Sequence, residues 1–395
     1  MASMVDIIVF FLCFIVCVSN NLTKADWGLS AKEELEFQKQ FINLKKFAIK
    51  SIQIGDGDIY DCIDFYKQPG FNHPFWKNTT FEMKRKLFVQ GRGTNSNSPL
   101  KTRLKGVGCP YGTVPIRRVN EDDLIRAKLL SKMHPTNIDE EPGYHYAILR
   151  TKADPNRRLD GIESYLRLFN PSGITGSQYS AFRMTLSNGL DSIKTGFTVN
   201  PLLFKDNKTR LFTHVTIDGS IQCFNQDCPG YVQINSEIPL GWTCPDDHPE
   251  RKAFKLRINK GTCDGPNSTK CLWTLYFDDG NSAVGFWPPT LFGKLSEFAN
   301  QADWGGEVYS PLDQPSPPMG TGKRPLQRDW DTIDLAHSRR IACAYENDKF
   351  NFLSPVDTEL YKSDQEAYDI IDVGYQGEYF GRMILYDGPG GIKGA

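Results

Sequence analysis

Glu307 follows Gly305 and Gly306, and a Gly-Gly-Glu sequence on a tight turn presents a carboxylate, most simply a solvated one. His214, inside the run Arg210 to Asp218, is placed to face a groove from a strand, although strand histidines are ordinarily hydrogen-bonded surface or core residues. Phe197, Phe286 and Trp287 are large aromatics that either floor a ligand cleft or fill a core. Lys194 alone reads as a solvated strand residue. The cysteines point to oxidation rather than metal chemistry. There is no Cys-x-x-Cys pair, no His-Glu-x-x-His, and the six histidines are scattered, so neither a metal nor a cofactor is expected.

Two of the ten cysteines, Cys13 and Cys17, lie in the apolar run Ile7 to Val18. That run has the length of a signal-peptide core and falls short of the ~20 residues that span a bilayer. Its leading segment carries Asp6 and no Lys or Arg, yet the polar stretch after it favours export, with cleavage near Ser19 to Lys24. The remaining cysteines (Cys62, Cys109, Cys223, Cys228, Cys244, Cys263, Cys271 and Cys343) form an even set suited to an oxidising compartment. Cys223 and Cys228 flank a short turn, and Cys263 and Cys271 are spaced to staple a hairpin. Cys62 with Cys109 and Cys244 with Cys343 complete one pairing among those that the sequence allows. Sequons at Asn78, Asn207 and Asn267 are glycan acceptors in a secreted chain, and a fourth, Asn21, lies close to the expected cleavage. With 46 basic and 47 acidic residues the net charge is −1, which gives no reason to expect a nucleic-acid partner or, after signal cleavage, a membrane.

The elements that position these residues divide at the middle of the chain. Ser30 and Glu33 have capping-box spacing ahead of Phe37, Phe41, Leu44 and Ala48, predicting a helix from Ser30 to Lys50. Residues 51 to 115 are rich in Gly, Pro and Asn and read as small strands and loops. A second helix is predicted to start at Asn120, with Asp122 and Asp123 in its first turn and Leu124, Ile125, Leu129 and Leu130 on its apolar side. The stretch Ser131 to Pro142 reads as an exposed, cleavable linker. Beyond it short β-type runs recur: Tyr144 to Arg150, Ser164 to Asn170, Tyr179 to Leu186, Ile193 to Val199, Arg210 to Asp218, Tyr231 to Asn235, Ala253 to Asn259, Leu272 to Phe277 and Ala283 to Trp287. Their spacing argues for an all-β, antiparallel β-sandwich at residues 140–395, preceded by a smaller α+β domain at residues 25–135 and a signal peptide at residues 1–24.

Several segments resemble the neprosin family. In the first half they are GDGDIYDCIDFYKQP (Gly55 to Pro69), FNHP (Phe71 to Pro74) and CPYGTVPIRR (Cys109 to Arg118). In the second they are GFTVNP (Gly196 to Pro201), TRLFTHVTIDG (Thr209 to Gly219), CFNQDCPGYVQ (Cys223 to Gln233), VGFWPPTLF (Val284 to Phe292), WGGEV (Trp304 to Val308) and MGTG (Met319 to Gly322). The resemblance implies a mostly plant, secreted protein with an amino-terminal activation region and a β-sandwich catalytic domain that cleaves near proline at acid pH with two glutamates. Such a pair works because two close carboxylates cannot both ionise cheaply, so one keeps a proton while the other activates water.

One family glutamate carries over to Glu307. At the other position stands Lys194, within Ile193 to Phe197. A cation there is expected to hold Glu307 ionised, the reverse of a shared proton. Asp191 is the nearest substitute acid, but an odd offset along a strand turns it to the opposite face. Arg183 and Thr185 stand where the family tends to carry Gln and Trp. A Cys-Tyr-Asp motif reads Ala367, Tyr368, Asp369, and no cysteine follows Asp387 to Gly390, so one family disulfide is absent as a pair. The resemblance thus implies a monomeric, apoplastic, catalytically impaired relative that binds a proline-containing peptide or cell-wall protein through Phe197, Arg183, His214 and Trp287. An active acid peptidase using Glu307 with another carboxylate, and a carbohydrate- or wall-binding sandwich, are the alternatives.

Overall fold

The computed structural model describes residues 46–54, 57–77, 108–133, 142–243, 253–261, 271–277, 282–326, 334–346 and 351–393. The signal-peptide assignment, Asn78, Asn267, Cys244, Cys263 and most of the linker lie outside them.

The first unit is a three-stranded antiparallel sheet in the order β1 (Ala48–Gln53), β2 (Ile59–Asp64), β3 (Thr113–Arg117). Ala48 to Lys50 are therefore strand rather than the end of a helix, because pairing with β2 outweighs helical spacing. The Cys62–Cys109 disulfide ties β2 to the segment that leads into β3. Phe65, Phe71, Phe75 and Trp76 follow β2, the last two in the single-turn helix α1 (Pro74–Lys77), and pack on Val232, Ile234, Leu272 and Phe286 of the larger unit. The Gln68 amide and the Gln233 backbone exchange two hydrogen bonds of 2.9 Å, and the Trp76 indole donates to the Gly230 carbonyl at 2.9 Å.

The helix α2 (Glu121–Met133) starts one residue after Asn120, whose side chain accepts from the Asp123 backbone N–H at 2.9 Å while Asp123 accepts from the Asn120 N–H at 2.7 Å. It continues to Met133, so the linker begins later than the polar composition from Ser131 implies.

The larger unit is a sandwich of two antiparallel sheets. In chain order its strands are β4 (Tyr144–Thr151), β5 (Leu159–Arg167), β6 (Tyr179–Asn188), β7 (Asp191–Val199), β8 (Arg210–Ile217), β9 (Ile221–Phe224), β10 (Val232–Gln233), β11 (Ala253–Lys260), β12 (Trp273–Phe277), β13 (Ser282–Trp287), β14 (Gln301–Tyr309), β15 (His337–Tyr345), β16 (Phe352–Leu353), β17 (Thr358–Lys362), β18 (Asp369–Tyr375) and β19 (Arg382–Asp387). One sheet has seven strands, β17-β4-β14-β6-β7-β8-β9. The other has nine, β10-β13-β12-β11-β5-β15-β19-β18 with β16 paired to β15. The strand expected over Ser164 to Asn170 is the earlier β5. Gly161 lies within its ladder, where a side chain would press on Asn259 and Ile258 of β11.

Strand alternation sorts side chains into three layers. From β6, Phe182, Met184 and Leu186 enter the core between the sheets, where they meet Ile193 and Phe197 of β7, Trp273, Trp287 and Trp304. The opposite face of the seven-stranded sheet is not open either. Ala127 and Leu130 of α2 and Leu203 and Phe204 of the short helix α3 (Pro201–Phe204) cover Tyr144, Tyr146, Tyr179, Phe212 and Phe224. Both faces of β6 are therefore buried.

The Cys223–Cys228 disulfide is formed, and Cys271 is also disulfide-bonded. Cys343 carries a free thiol, which corrects its expected pairing with Cys244. It points into the inter-sheet core as a small apolar group, and burial raises its thiol well above the usual range.

Gly305 and Gly306 lie inside the continuous strand β14, not on a turn. Gly305 has φ of +144°, and a β-carbon there would collide with the Ala147 carbonyl and the Ile148 backbone of β4. At Gly306 it would meet the buried Met319 side chain. Gly305→Ala is expected to cost about 3 kcal/mol through backbone strain and overpacking, seen as a lower urea midpoint at unchanged m; an unchanged midpoint would contradict this account.

Candidate functional site

Odd-numbered positions of β14 and β6 and even-numbered positions of β7 and β8 share the face beneath α2. Glu307 stands opposite Ala181, Gly305 opposite Arg183, Arg183 opposite Gly196 and Lys194 opposite His214. This register brings side chains from β6, β7 and β14 to one carboxylate. Lys194 Nζ lies 2.8 Å from Glu307 Oε1 and 2.6 Å from Oε2. Arg183 Nε donates to Oε2 at 2.9 Å, and the Tyr179 hydroxyl donates to Oε1 at 2.5 Å. Glu307 is 1% exposed and Arg183 0%, so water does not screen these contacts.

Arg183 reaches further. Its Nη1 donates to Thr185 Oγ1 at 3.1 Å and forms an ion pair with Asp303, and its guanidinium lies over the Tyr146 ring at 5.6 Å. Asp303 is thus a second buried acid on the Glu307 face, separated from it along β14 by Gly305 and joined to it by the arginine. Three strands therefore supply two carboxylates and two cations, a cluster balanced in charge.

The electrostatics follow from burial. Desolvation lowers the Lys194 pKa most, the Glu307 charge restores part of it, and Arg183 lowers it again. Tyr179 and Tyr146 are held well above the ordinary phenol range, first by burial and then by the Glu307 charge, so both remain protonated. A carboxylate receiving donors from two cations and a phenol is stabilised as the anion. The arrangement binds a negative charge in place.

Asp191 is held elsewhere: its oxygens accept from the Asp218 N–H at 2.8 Å and the Leu295 N–H at 3.2 Å. His214 is buried on the face of Lys194, with its ring 4.6 Å from that of Phe224. Phe197 and Trp287 do not join the site. Both are 0% exposed in the inter-sheet core, Phe197 against Phe254 and Phe277 because its position on β7 has the other parity, and Trp287 against Tyr231 because β13 belongs to the other sheet. Phe286 faces Trp76 of the first unit instead. Sequence reasoning missed Asp303, Tyr179 and Tyr146. The signal was the shared parity of 303, 305 and 307, and of 179 and 183, once those segments are read as unbroken strands.

The site's cover is itself charged. Asp123 of α2 bonds Arg126 at 2.6 Å and Lys205 at 2.9 Å. Asp227, beyond β9, is half-buried near it. Burial and then the Asp123 charge raise the Asp227 pKa from 3.8 to about 7.

A double-layered antiparallel sandwich with a buried acid-and-cation cluster, capped by a helix from a preceding small unit, defines the class of protein. Residues 176–389, over half of the chain, match the Neprosin family, and residues 51–150 match the Neprosin activation peptide. The chain belongs to the Neprosin family. Among solved structures, scytalido-glutamic peptidase aligns in two complexes, one with a peptide-based transition-state analogue and one with a transition-state analogue inhibitor. Each has 10% identity and a TM-score of 0.31, covering 63% of this chain and 98% of that one. SCP-B, an eqolisin-family peptidase in complex with the tripeptide Ala-Ile-His, aligns at 9% identity with the same score and coverage.

Two outcomes follow. Glu307→Gln leaves Lys194 and Arg183 without their shared anion and is expected to destabilise the fold by about 3–5 kcal/mol in urea titration; a loss below about 1 kcal/mol would show the cluster to be dispensable. For Asp227, a pKa raised in the folded state means that its contribution is complete below pH 3.8 and is lost as pH rises through about 7. Asp227→Asn should therefore be more stable than wild type at alkaline pH, with the gap closing on acidification; a gap independent of pH would contradict this.

Proposed function

We propose that this chain is a secreted neprosin-family protein that has lost acid peptidase chemistry while retaining a peptide-binding face on its seven-stranded sheet. The observation that carries the reading is the pair of contacts, 2.6 and 2.8 Å, between Lys194 and the family glutamate Glu307. General acid–base hydrolysis by two carboxyl groups needs one of them protonated, and the ammonium fills the place from which the second would act. Asp303 does not restore the pair, since Arg183 bridges the two acids and holds both as ion-pair partners.

Two disulfides among the described residues and the exposed sequon Asn207 are compatible with an extracellular setting. The ligand of this reading is a proline-containing peptide or wall protein. It would bind after α2 leaves, against Tyr146, Tyr179 and the cationic edge of Lys194. No step requires a cofactor.

The test incubates the processed protein with a proline-containing peptide near about pH 4. The expected result is binding without cleavage above the level of Glu307→Gln. Wild-type turnover that Glu307→Gln abolishes would overturn the proposal. Lys194→Glu alone should stay inactive because Arg183 still holds Glu307, whereas Lys194→Glu combined with Arg183→Gln frees two carboxyls to share a proton and should hydrolyse the peptide measurably.

A further inference from the structure

On the opposite side of the sandwich, the outer face of the nine-stranded sheet carries a cluster rich in positive charge. Glu163, Tyr165 and Arg167 alternate outward from β5, beside Lys255 and Arg257 of β11 and Arg339 of β15. Glu163 is fully engaged, with Lys255 at 2.9 Å and Arg257 at 2.7 Å. Arg167 has no such partner. It is 8% exposed, its Nε is buried without a hydrogen bond, and among the described residues no carboxylate lies within ion-pair distance of it.

Arg339 stands beside it, half-buried and without an ion-paired carboxylate among the described residues. Its guanidinium lies 4.4 Å from the Tyr165 ring and 4.6 Å from the Tyr379 ring, and its one side-chain hydrogen bond among the described residues, 2.8 Å, goes to the Tyr379 carbonyl. A β-bulge places it there. The β15–β5 register shifts between Arg339 and Ala342, and Arg340 takes φ of +52°, a conformation that a non-glycine residue adopts only at a cost. Arg340 in turn donates to the Glu378 carbonyl at 2.6 and 3.1 Å, pinning the short helix α4 (Gly377–Phe380) over this end of the sheet. The charge is felt locally. Burial lowers both guanidiniums from their usual range; at Arg167 the Asp334 charge offsets part of this and Arg339 adds to it, while at Arg339 Tyr379 and Tyr165 offset part and Arg340 adds to it. His337, on the same strand, is lowered to about 4, by burial first and then by Arg167 and Arg339. It is neutral at ordinary pH and adds no charge of its own.

The Arg167 Nε is buried with no acceptor among the described residues, and a donor left so is costly unless a ligand supplies the acceptor. We propose that Arg167 and Arg339 form a receptor for the carboxylate of an acidic polysaccharide. A guanidinium fork fits a planar carboxylate, and the Tyr379 ring, 67% exposed and 4.6 Å from the Arg339 guanidinium, presents a flat apolar face to a sugar ring. A nucleic acid suits the surface less well, since the net charge of −1 gives no long-range field to attract one. This receptor lies on the other sheet from Glu307 and is independent of the fate of the peptidase chemistry.

Calorimetric titration of the full chain with an oligogalacturonate tests the assignment, with inorganic sulfate, neutral dextran and single-stranded DNA as parallel arms. Oligogalacturonate should bind and dextran should not. Arg167→Gln and Arg339→Gln should each weaken binding by about tenfold or more, and Tyr379→Ala should weaken it while leaving any sulfate binding unchanged. Arg339→Lys, which keeps the charge and loses the fork, reads the same contact if Arg167→Gln does not fold. Absence of oligogalacturonate binding, binding indifferent to these variants, sulfate as tight as the oligosaccharide, or DNA binding of equal strength would each overturn the proposal.

Discussion

The anchoring of Glu307 by Lys194, Arg183 and Tyr179 is the constraint around which the seven-stranded sheet is organised. A carboxylate that is almost wholly inaccessible to water is tolerable only with several donors, and each comes from a different place in the ladder. The register of β14 on β6 and of β6 on β7 must hold for all to arrive together. A one-residue slip would send Glu307 into the apolar layer and bring Trp304 or Val308 to the polar one. Gly305 and Gly306 serve the same end, letting β4 and Met319 approach closely enough to fix β14.

The charge balance explains why a cluster so rich in ionisable groups can lie under a helix. Arg183 joins Glu307 and Asp303, and Lys194 completes a neutral set, so α2 can lay Ala127 and Leu130 over neighbouring tyrosines without burying net charge. Lys194 and Glu307 fill that space as an internal salt.

Much of this was legible in the sequence, for reasons that differ by element. Tyr144 to Arg150, Ile193 to Val199 and Ala253 to Asn259 show plain alternation or β-branched runs, and the strands lie where the pattern places them. The capping pair Asn120 and Asp123 marks the start of α2 by local chemistry alone. The two glycines before Glu307 misled, since glycine signals a turn unless one knows that Ala147 and Met319 crowd them. Phe197 and Trp287 were assigned to a cleft by residue type, whereas strand parity decides their side. The pairing of Cys343 was inferred by remainder, and a thiol content with an apolar core leaves no trace in spacing.

The place of β4 in the sheet limits where the chain can be divided. Its residues Tyr144 to Thr151 bond to β14 on one side and β17 on the other, although the match to the activation peptide runs on to residue 150. Scission at that residue would pull an interior strand from the ladder and strip β14 of its hydrogen-bonding neighbour. A cut that frees the helix and spares the sandwich must therefore fall upstream of Tyr144, so the functional seam of the polypeptide and the edge of its sequence kinship are different points on the chain.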